Sequence, residues 1–357
     1  MKDVLPDIQR WRQHGEKVAV ATVVATRRSA PRPVGSKLVV SGGGEMAGSV
    51  SGGCVENEVY GHACEVLKGE RPQLLSYGIS DDLAFSVGLP CGGEIDVFVE
   101  ELSDALLARL TEVIEREERA VLFTVVTGEP LGAQMLVTEQ GDRVGADLPE
   151  LAERFDELIL AKRNQLLEVD GVTAFAEVYG PPTRVLVFGA VDTAEALCQH
   201  AGALGWRTIV ADARGKFATA ERLPSADEVI VAWPDDALAR VGPDHDTAVV
   251  VLTHDDRFDV PALQGALATD AFYVGALGSR RNQERRREKL LEAGVDEEAI
   301  GRISGPCGLD VGAETPAETA VSILAEILAV RAGREGGPLK TSKGRIHVEA
   351  PQAPQPA

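Results

Sequence analysis

Residues 184–212 read RVLVFGAVDTAEALCQHAGALGWRTIVAD, and this stretch decides the fold of the second half of the chain. Residues 184–188 form a short apolar run that ends at Gly189, as a buried strand does. Helical spacing follows over 193–204 and stops at Gly205, a residue suited to closing a helix in the left-handed conformation. Residues 208–211 make a second apolar strand, which ends on Asp212. Strand, glycine turn, helix and a strand closing on an acid is the order of a Rossmann unit. In that order Gly189 makes the tight turn and the helix N-terminus meets a pyrophosphate. Asp212 stands 23 residues after Gly189, near the spacing of a carboxylate that binds a ribose hydroxyl. The fingerprint is incomplete, because Val191 takes the place of its second glycine and Asp192 adds negative charge where an anion would sit. A nucleotide site and a Rossmann fold whose site is altered or lost both stay open.

Working outward, further strands are expected over 228–232, 248–252 and 272–274, and helices over 260–267 and 282–293. Strands alternating with helices predict a parallel sheet. A last helix opens on Thr315-Pro316-Ala317-Glu318, a capping box with proline in the first turn, and runs to about residue 330. Residues 334–357 are rich in Gly, Pro, Lys and Gln and read as a flexible tail. Upstream, Gly180-Pro181-Pro182 reads as a linker, dividing an N-terminal domain over 1–180 from the Rossmann-like domain over 183–333. The N-terminal domain mixes strands and helices. Strands are expected over 18–26, 38–40, 94–100 and 174–179, with helices over 55–68, 104–119 and 149–166. Further strands flank Gly128 and Gly141.

The 357 residues carry 36 basic and 56 acidic side chains, a formal charge of -20. That balance argues against nucleic acid and anionic membrane surfaces, which reward a basic face. An anionic small molecule then needs local amides and arginines to hold it. No apolar run is long enough for a bilayer span, and the N-terminus lacks the apolar core of a signal peptide. Five cysteines, an odd number, do not suit a disulfide framework, so a cytoplasmic protein with reduced thiols is expected. Neither a paired CxxC nor HExxH occurs, which disfavours zinc.

Cys54 follows Ser51-Gly52-Gly53 at an expected helix start, where free amides and the helix dipole would favour a thiolate. Cys91 has a mirrored setting in Pro90-Cys91-Gly92-Gly93, and either cysteine could instead be small, packed and inert. Cys64 and Cys198 fall inside amphipathic helices and read as core, while Cys307 stays undecided. Arg27, Arg28 and Arg32 crowd one loop, and Ser279 and Arg280 follow the strand expected at 272–274, where ligands of open α/β sheets bind. Arginine forks suit phosphate. His254 ends the strand over 248–252 at the same mouth, and Arg285 to Arg287 read as a solvated helix face.

Together these segments resemble the XdhC/CoxI family, accessory factors that mature molybdenum hydroxylases. The matching motifs are SAPRPVG (29–35), GSVSGGCVE (48–56), GLPCGG (88–93), THD (253–255), GALGSRR (275–281) and GLDVGAETPAE (308–318). They stand in family order over roughly residues 15–330. Where many members carry Gly-Ala-Gly-His, this chain has Gly189-Ala190-Val191-Asp192. The resemblance implies a carrier of the molybdenum cofactor, a molybdopterin with or without a nucleotide joined through a pyrophosphate. Such a carrier protects the cofactor while a cysteine desulfurase supplies sulfur, then delivers it to an apo-hydroxylase of the xanthine or carbon monoxide dehydrogenase type. On that reading Gly189, Asp212, Ser279 and Arg280 hold the nucleotide and phosphates, with Arg28 and Arg32 as further anchors. Gly52, Gly53, His254 and Asp310 also bind the cofactor, and Cys54 and Cys91 face the molybdenum. A homodimer is a further expectation. The alternatives are an NAD(P)-dependent oxidoreductase, and a docking protein for a hydroxylase that has no ligand of its own.

Overall fold

The computed structural model describes residues 1–28, 30–78 and 93–342. They fall into two compact units, one over Met1–Pro181 and one beginning at Pro182.

In the first unit β1 (Val18–Arg27), β2 (Lys37–Ser41), β3 (Met46–Gly48), β4 (Gln73–Tyr77) and β5 (Glu94–Glu101) form an antiparallel sheet ordered β3-β2-β1-β5-β4. A second antiparallel sheet holds β6 (Ala120–Thr127), β7 (Gln134–Thr138), β8 (Arg143–Gly145), β9 (Gln165–Val169) and β10 (Val172–Tyr179), ordered β8-β7-β6-β10-β9. The helices are α1 (Leu5–Gln13), α2 (Glu56–Leu67), α3 (Asp104–Glu115), α4 (Pro149–Ala152) and α5 (Phe155–Ala161). Strand alternation explains the layering. Ala19, Ala21 and Val23 of β1 meet Val59, Ala63 and Val66 of α2. The intervening Val18 and Val20 pack with Ile8 and Trp11 of α1. Val24 joins Phe98 of the first sheet and Val126 and Phe175 of the second in one buried cluster. The outer face of the second sheet is closed by Leu151, Leu158 and Ile159 of α4 and α5.

The second unit is a six-stranded sheet, parallel throughout, ordered β13-β12-β11-β14-β15-β16. Its strands are β11 (Arg184–Phe188), β12 (Arg207–Ala211), β13 (Glu228–Ile230), β14 (Thr247–Val251), β15 (Tyr273–Ala276) and β16 (Ile303–Ser304). Numbered within the unit this is 3-2-1-4-5-6, the Rossmann order. Helices α6 (Asp192–Ala203), α7 (Pro234–Val241), α8 (Asp256–Leu267), α9 (Arg280–Glu292), α10 (Glu297–Gly301) and α11 (Pro316–Arg331) complete it. Val185, Val187, Val210 and Val250 face α6 and α11 through Leu197, Ile323 and Ile327. Leu186, Ile209, Val249 and Val251 face α7 and α8 through Leu238, Ala262 and Leu263. Both faces are buried, so the strands read as continuous β-branched runs.

Several expectations need correction. Residues 149–166 hold two short helices, not one; Lys162 turns left-handed at φ 50 and ends the second before β9 begins. The helix expected over 104–119 ends at Glu115, with Glu117 at φ 55 turning the chain into β6. Helices α1 and α7 and strands β4 and β9 were not anticipated. Of the expected tail, residues 343–357 lie outside the described residues. Among the described residues no helix is long and apolar enough to cross a membrane.

Candidate functional site

In the second unit the strand order reverses between β11 and β14, and in open α/β sheets ligands bind outside the carboxyl ends of the strands at such a point. Gly189 has φ +113, and a Cβ there would lie 2.8 Å from Thr253 Cγ2, so only glycine lets the β11 turn approach the β14 loop this closely. Asp212 is buried at the end of β12. Its Oδ2 accepts the Ala190 amide at 2.9 Å and Arg214 Nη2 at 2.6 Å, and its Oδ1 accepts the Arg214 amide and Nε, both at 2.9 Å. Burial pushes the carboxyl upward, but the Arg214 guanidinium and the two amides outweigh it and hold Asp212 ionised below its usual range. Asp212, expected to bind a ribose, is thus committed to bracing the glycine turn. No side chain caps α6, whose first residue is Asp192.

A second brace orders the neighbouring loops. Asp259 of α8 is buried, accepts the Thr253 hydroxyl, and pairs with Arg286 Nη2 at 2.6 Å. Arg286 also donates to the Leu277 carbonyl at 3.2 Å. The reading of Arg285 to Arg287 as a solvated face therefore fails at Arg286, which is 4% exposed and ties the THD loop to the GALGSRR loop. Ser279 caps α9 by accepting the Asn282 amide at 3.2 Å. Arg280 and Arg281, in the first turn of α9, are exposed and have no ion-pair partner among the described residues. They are available to an anion. His254 and Asp310 are also exposed. Cys307 is buried, and burial followed by Glu326 raises its thiol to about 12. Cys198 is likewise a buried core thiol.

In the first unit the GSVSGGCVE segment folds around its own glutamate. Glu56, at the start of α2, accepts the amides of Ser51 (2.9 Å), Gly52 (3.0 Å) and Gly53 (2.8 Å) and the hydroxyls of Ser49 (2.7 Å) and Ser51. Positive φ at Gly52 and Gly53 turns these amides onto one carboxylate. Burial opposes the charge, yet the Ser51 and Ser49 hydroxyls and the amides prevail and bring Glu56 down to about 2. The helix begins two residues beyond Cys54, whose own amide donates to Ser51 Oγ at 2.9 Å. The amides expected to be free at this loop are consequently taken by Glu56, a residue with no role in the sequence-based expectations. Its signal was the carboxylate three residues after Gly53. Cys54 is a half-buried free thiol at the rim of the α2 core. Cys91 and Gly92 lie outside the described residues.

The arginine loop divides. Arg27 grips buried Asp96 with two nitrogens, at 3.3 and 2.8 Å, and Ser76 donates to the same carboxylate at 2.7 Å. Arg28, at φ 61, is exposed and 3.8 Å from Glu94. Arg32 is exposed and has no ion-pair partner among the described residues. Among the described residues no group of three or more His, Cys, Asp or Glu side chains is arranged to hold a metal ion.

The fold and these loops define a two-unit protein with a Rossmann crevice and a glycine–cysteine loop. Two family models match it: the XdhC and CoxI family over residues 11–78 and the XdhC Rossmann domain over residues 185–327. The chain belongs to the XdhC/CoxI family. It is 29% identical over 323 residues to the molybdenum cofactor insertion chaperone PaoD of Escherichia coli (strain K12), covering 90% of this chain and 86% of that protein. It is 28% identical over 321 residues to a protein of Bacillus subtilis (strain 168) named as a probable xanthine dehydrogenase subunit, covering 88% and 94%. A crystal structure described as a xanthine dehydrogenase from Bacillus halodurans shares the fold. Its TM-score is 0.70 at 24% identity, over 95% of this chain and 97% of that one.

Proposed function

We propose that the protein is a molybdenum-cofactor maturation chaperone. It binds molybdopterin as cargo, shields it while a cysteine desulfurase supplies sulfur, and passes it to a molybdenum hydroxylase of the xanthine or carbon monoxide dehydrogenase type. The observation that carries this reading is the chain-long likeness, through both units, to a relative named for cofactor insertion.

The residues suit such cargo. In the Rossmann unit Gly189 admits a phosphate-bearing chain to the crevice, and Arg280 at the start of α9 offers an unpaired guanidinium fork to a phosphate. Ser279 fixes that helix start, while Asp212 keeps the Gly189 turn in place. His254 and Asp310 line the exposed loops at hand for polar contacts. In the first unit, taken by itself, Gly52 and Gly53 stand on a loop locked by Glu56 that leads into Cys54, and Cys54 and Cys91 are thiols suited to handling sulfur or molybdenum. Arg28 and Arg32 serve as further anchors. The bound cargo supplies its own molybdenum–dithiolene chemistry; the chain's part is to bind, orient and exclude water. A nicotinamide-dependent oxidoreductase is less well supported, because Asp212 has its acceptor positions filled by Arg214 and Ala190.

The test is retention. Protein mixed with a molybdopterin donor and separated by gel filtration should carry the pterin with it; elution free of pterin would rule the carrier role out.

A further inference from the structure

Three loops at the carboxyl edge of the second unit present aromatic and apolar side chains to solvent. Trp233, three residues after β13 and immediately before α7, stacks on Phe258 in the first turn of α8, with ring centroids 4.6 Å apart and planes 5° from parallel. Phe258 covers one face, yet Trp233 remains 51% exposed. Val231 beside it is exposed, and a Cβ on Gly215 would lie only 3.5 Å from Val231 Cγ1, so the loop after β12 adjoins the same patch. An indole left half in water at the mouth of a ligand crevice is unusual, because burying its area would be favourable.

We propose that the Trp233–Phe258 pair is the seat of a nucleobase, the heteroaromatic end of a nucleotide whose phosphates run toward Arg280. This rests on the reading that the crevice holds a nucleotide-bearing cofactor. The charge layout orients the ligand. Asp235 and Asp236 of α7 follow Trp233 and Pro234 in the chain, while Asp255 and Asp256 at α8 are already paired, with Arg257 at 2.6 Å and with Arg285 at 3.1 Å. Carboxylates accept from exocyclic amines of bases and repel phosphate. The arginines without an ion-pair partner among the described residues stand in the first turn of α9, and that helix adjoins α8: its Arg285 pairs with Asp256, two residues before Phe258, at 3.1 Å, so the phosphate end and the aromatic seat lie on neighbouring helices of one edge.

The chain has three tryptophans, of which Trp11 is 2% and Trp206 7% exposed. Emission quenched by a stacked base therefore reports on Trp233. The full-length protein is titrated with cytidine, guanosine and adenosine diphosphates, and with ribose 5-phosphate and pyrophosphate as probes without a base. The proposal expects at least one nucleoside diphosphate to quench the emission and both base-free probes to leave it unchanged. Phe258→Ala and Trp233→Ala should each weaken binding of that nucleotide by roughly tenfold or more, from the usual worth of a base–aromatic stack. Binding is followed by equilibrium dialysis, and circular dichroism shows that the variants are folded. Trp233→Phe should bind nearly as the parent does. Nucleotide bound in dialysis without quenching, or bound equally by both alanine variants, would overturn the platform. So would failure of every nucleoside diphosphate to bind. Pterin retained in the gel-filtration assay alongside any of these results would leave the chaperone reading standing while the platform falls.

Discussion

The backbone amide of Ala190 donates to Oδ2 of Asp212 across 2.9 Å, tying the turn after β11 to the end of β12. A carboxylate at this position in a dinucleotide-binding unit would be expected to face a ribose. Here Arg214 covers what Ala190 leaves. Asp212→Ala should strand the buried Ala190 amide and destabilise the protein by about 2 kcal/mol, the usual cost for a hydrogen bond to a charged partner. Urea unfolding of the variant checks this, and an unchanged midpoint would contradict it. Pterin retention should fall in the same variant.

Glu56 holds the loop that presents Cys54. Its fall from 4.5 to about 2 corresponds to an upper bound of about 3 kcal/mol of stability at neutral pH, reduced by whatever solvent screens. Because the folded-state pKa is depressed, that contribution is present above 4.5 and lost as pH falls toward 2. Glu56→Gln should therefore destabilise the protein at pH 7 and lose most of its disadvantage near pH 2.5. Paired denaturation curves at the two pH values measure it.

Cys54 is a half-buried free thiol packed at the edge of the α2 core. Cys54→Ala should leave the melting temperature within a few degrees of the parent and abolish activation of the partner hydroxylase. Activation assayed with apo-hydroxylase and cofactor decides it, since normal activation by the variant removes the thiol from the mechanism.

Between the two sheets of the first unit, Lys37 Nζ donates to Glu177 at 2.8 Å and to Thr22 at 2.9 Å, beside buried Glu100. Burial raises Glu100 to about 8, Lys37 pulls it down and Glu177 pushes it up, while the Gln134 amide donates to it at 2.7 Å. The Met1 amine is also among the groups at this cluster. A raised folded-state pKa means stability that is full below 4.5 and lost as pH rises through 8. Stability should decline between those limits, and Glu100→Gln should flatten the decline. Melting temperatures over pH 5 to 9 test both.

Much of the Rossmann unit was legible in its sequence, because strands buried on both faces leave apolar runs and glycine marks the ends of helices. The crevice followed from Gly189 and the strand–helix order. The braces did not. Arg286 sits in a run of charges identical by type to its solvated neighbours, and only the fold places Asp259 beneath it. Glu56 was similarly hidden, since a carboxylate at a helix start ordinarily reads as a partner of the dipole. In the first unit the expected helix over 149–166 ran into the first two residues of β9, and the strand went unanticipated, because Leu158, Ile159, Leu166 and Leu167 continue an apolar pattern across the Lys162 turn. The buried Lys37–Glu177 pair joins strands 140 residues apart, a pairing that no local pattern announces.

The central claim is that this chain carries molybdopterin. The most direct measurement is molybdenum by elemental analysis, and pterin by fluorescence of its oxidised form, in protein purified anaerobically from cells that make the cofactor. The account predicts roughly one pterin per chain, reduced in Arg280→Ala. Protein free of pterin, from cells in which a known carrier loads, would contradict it.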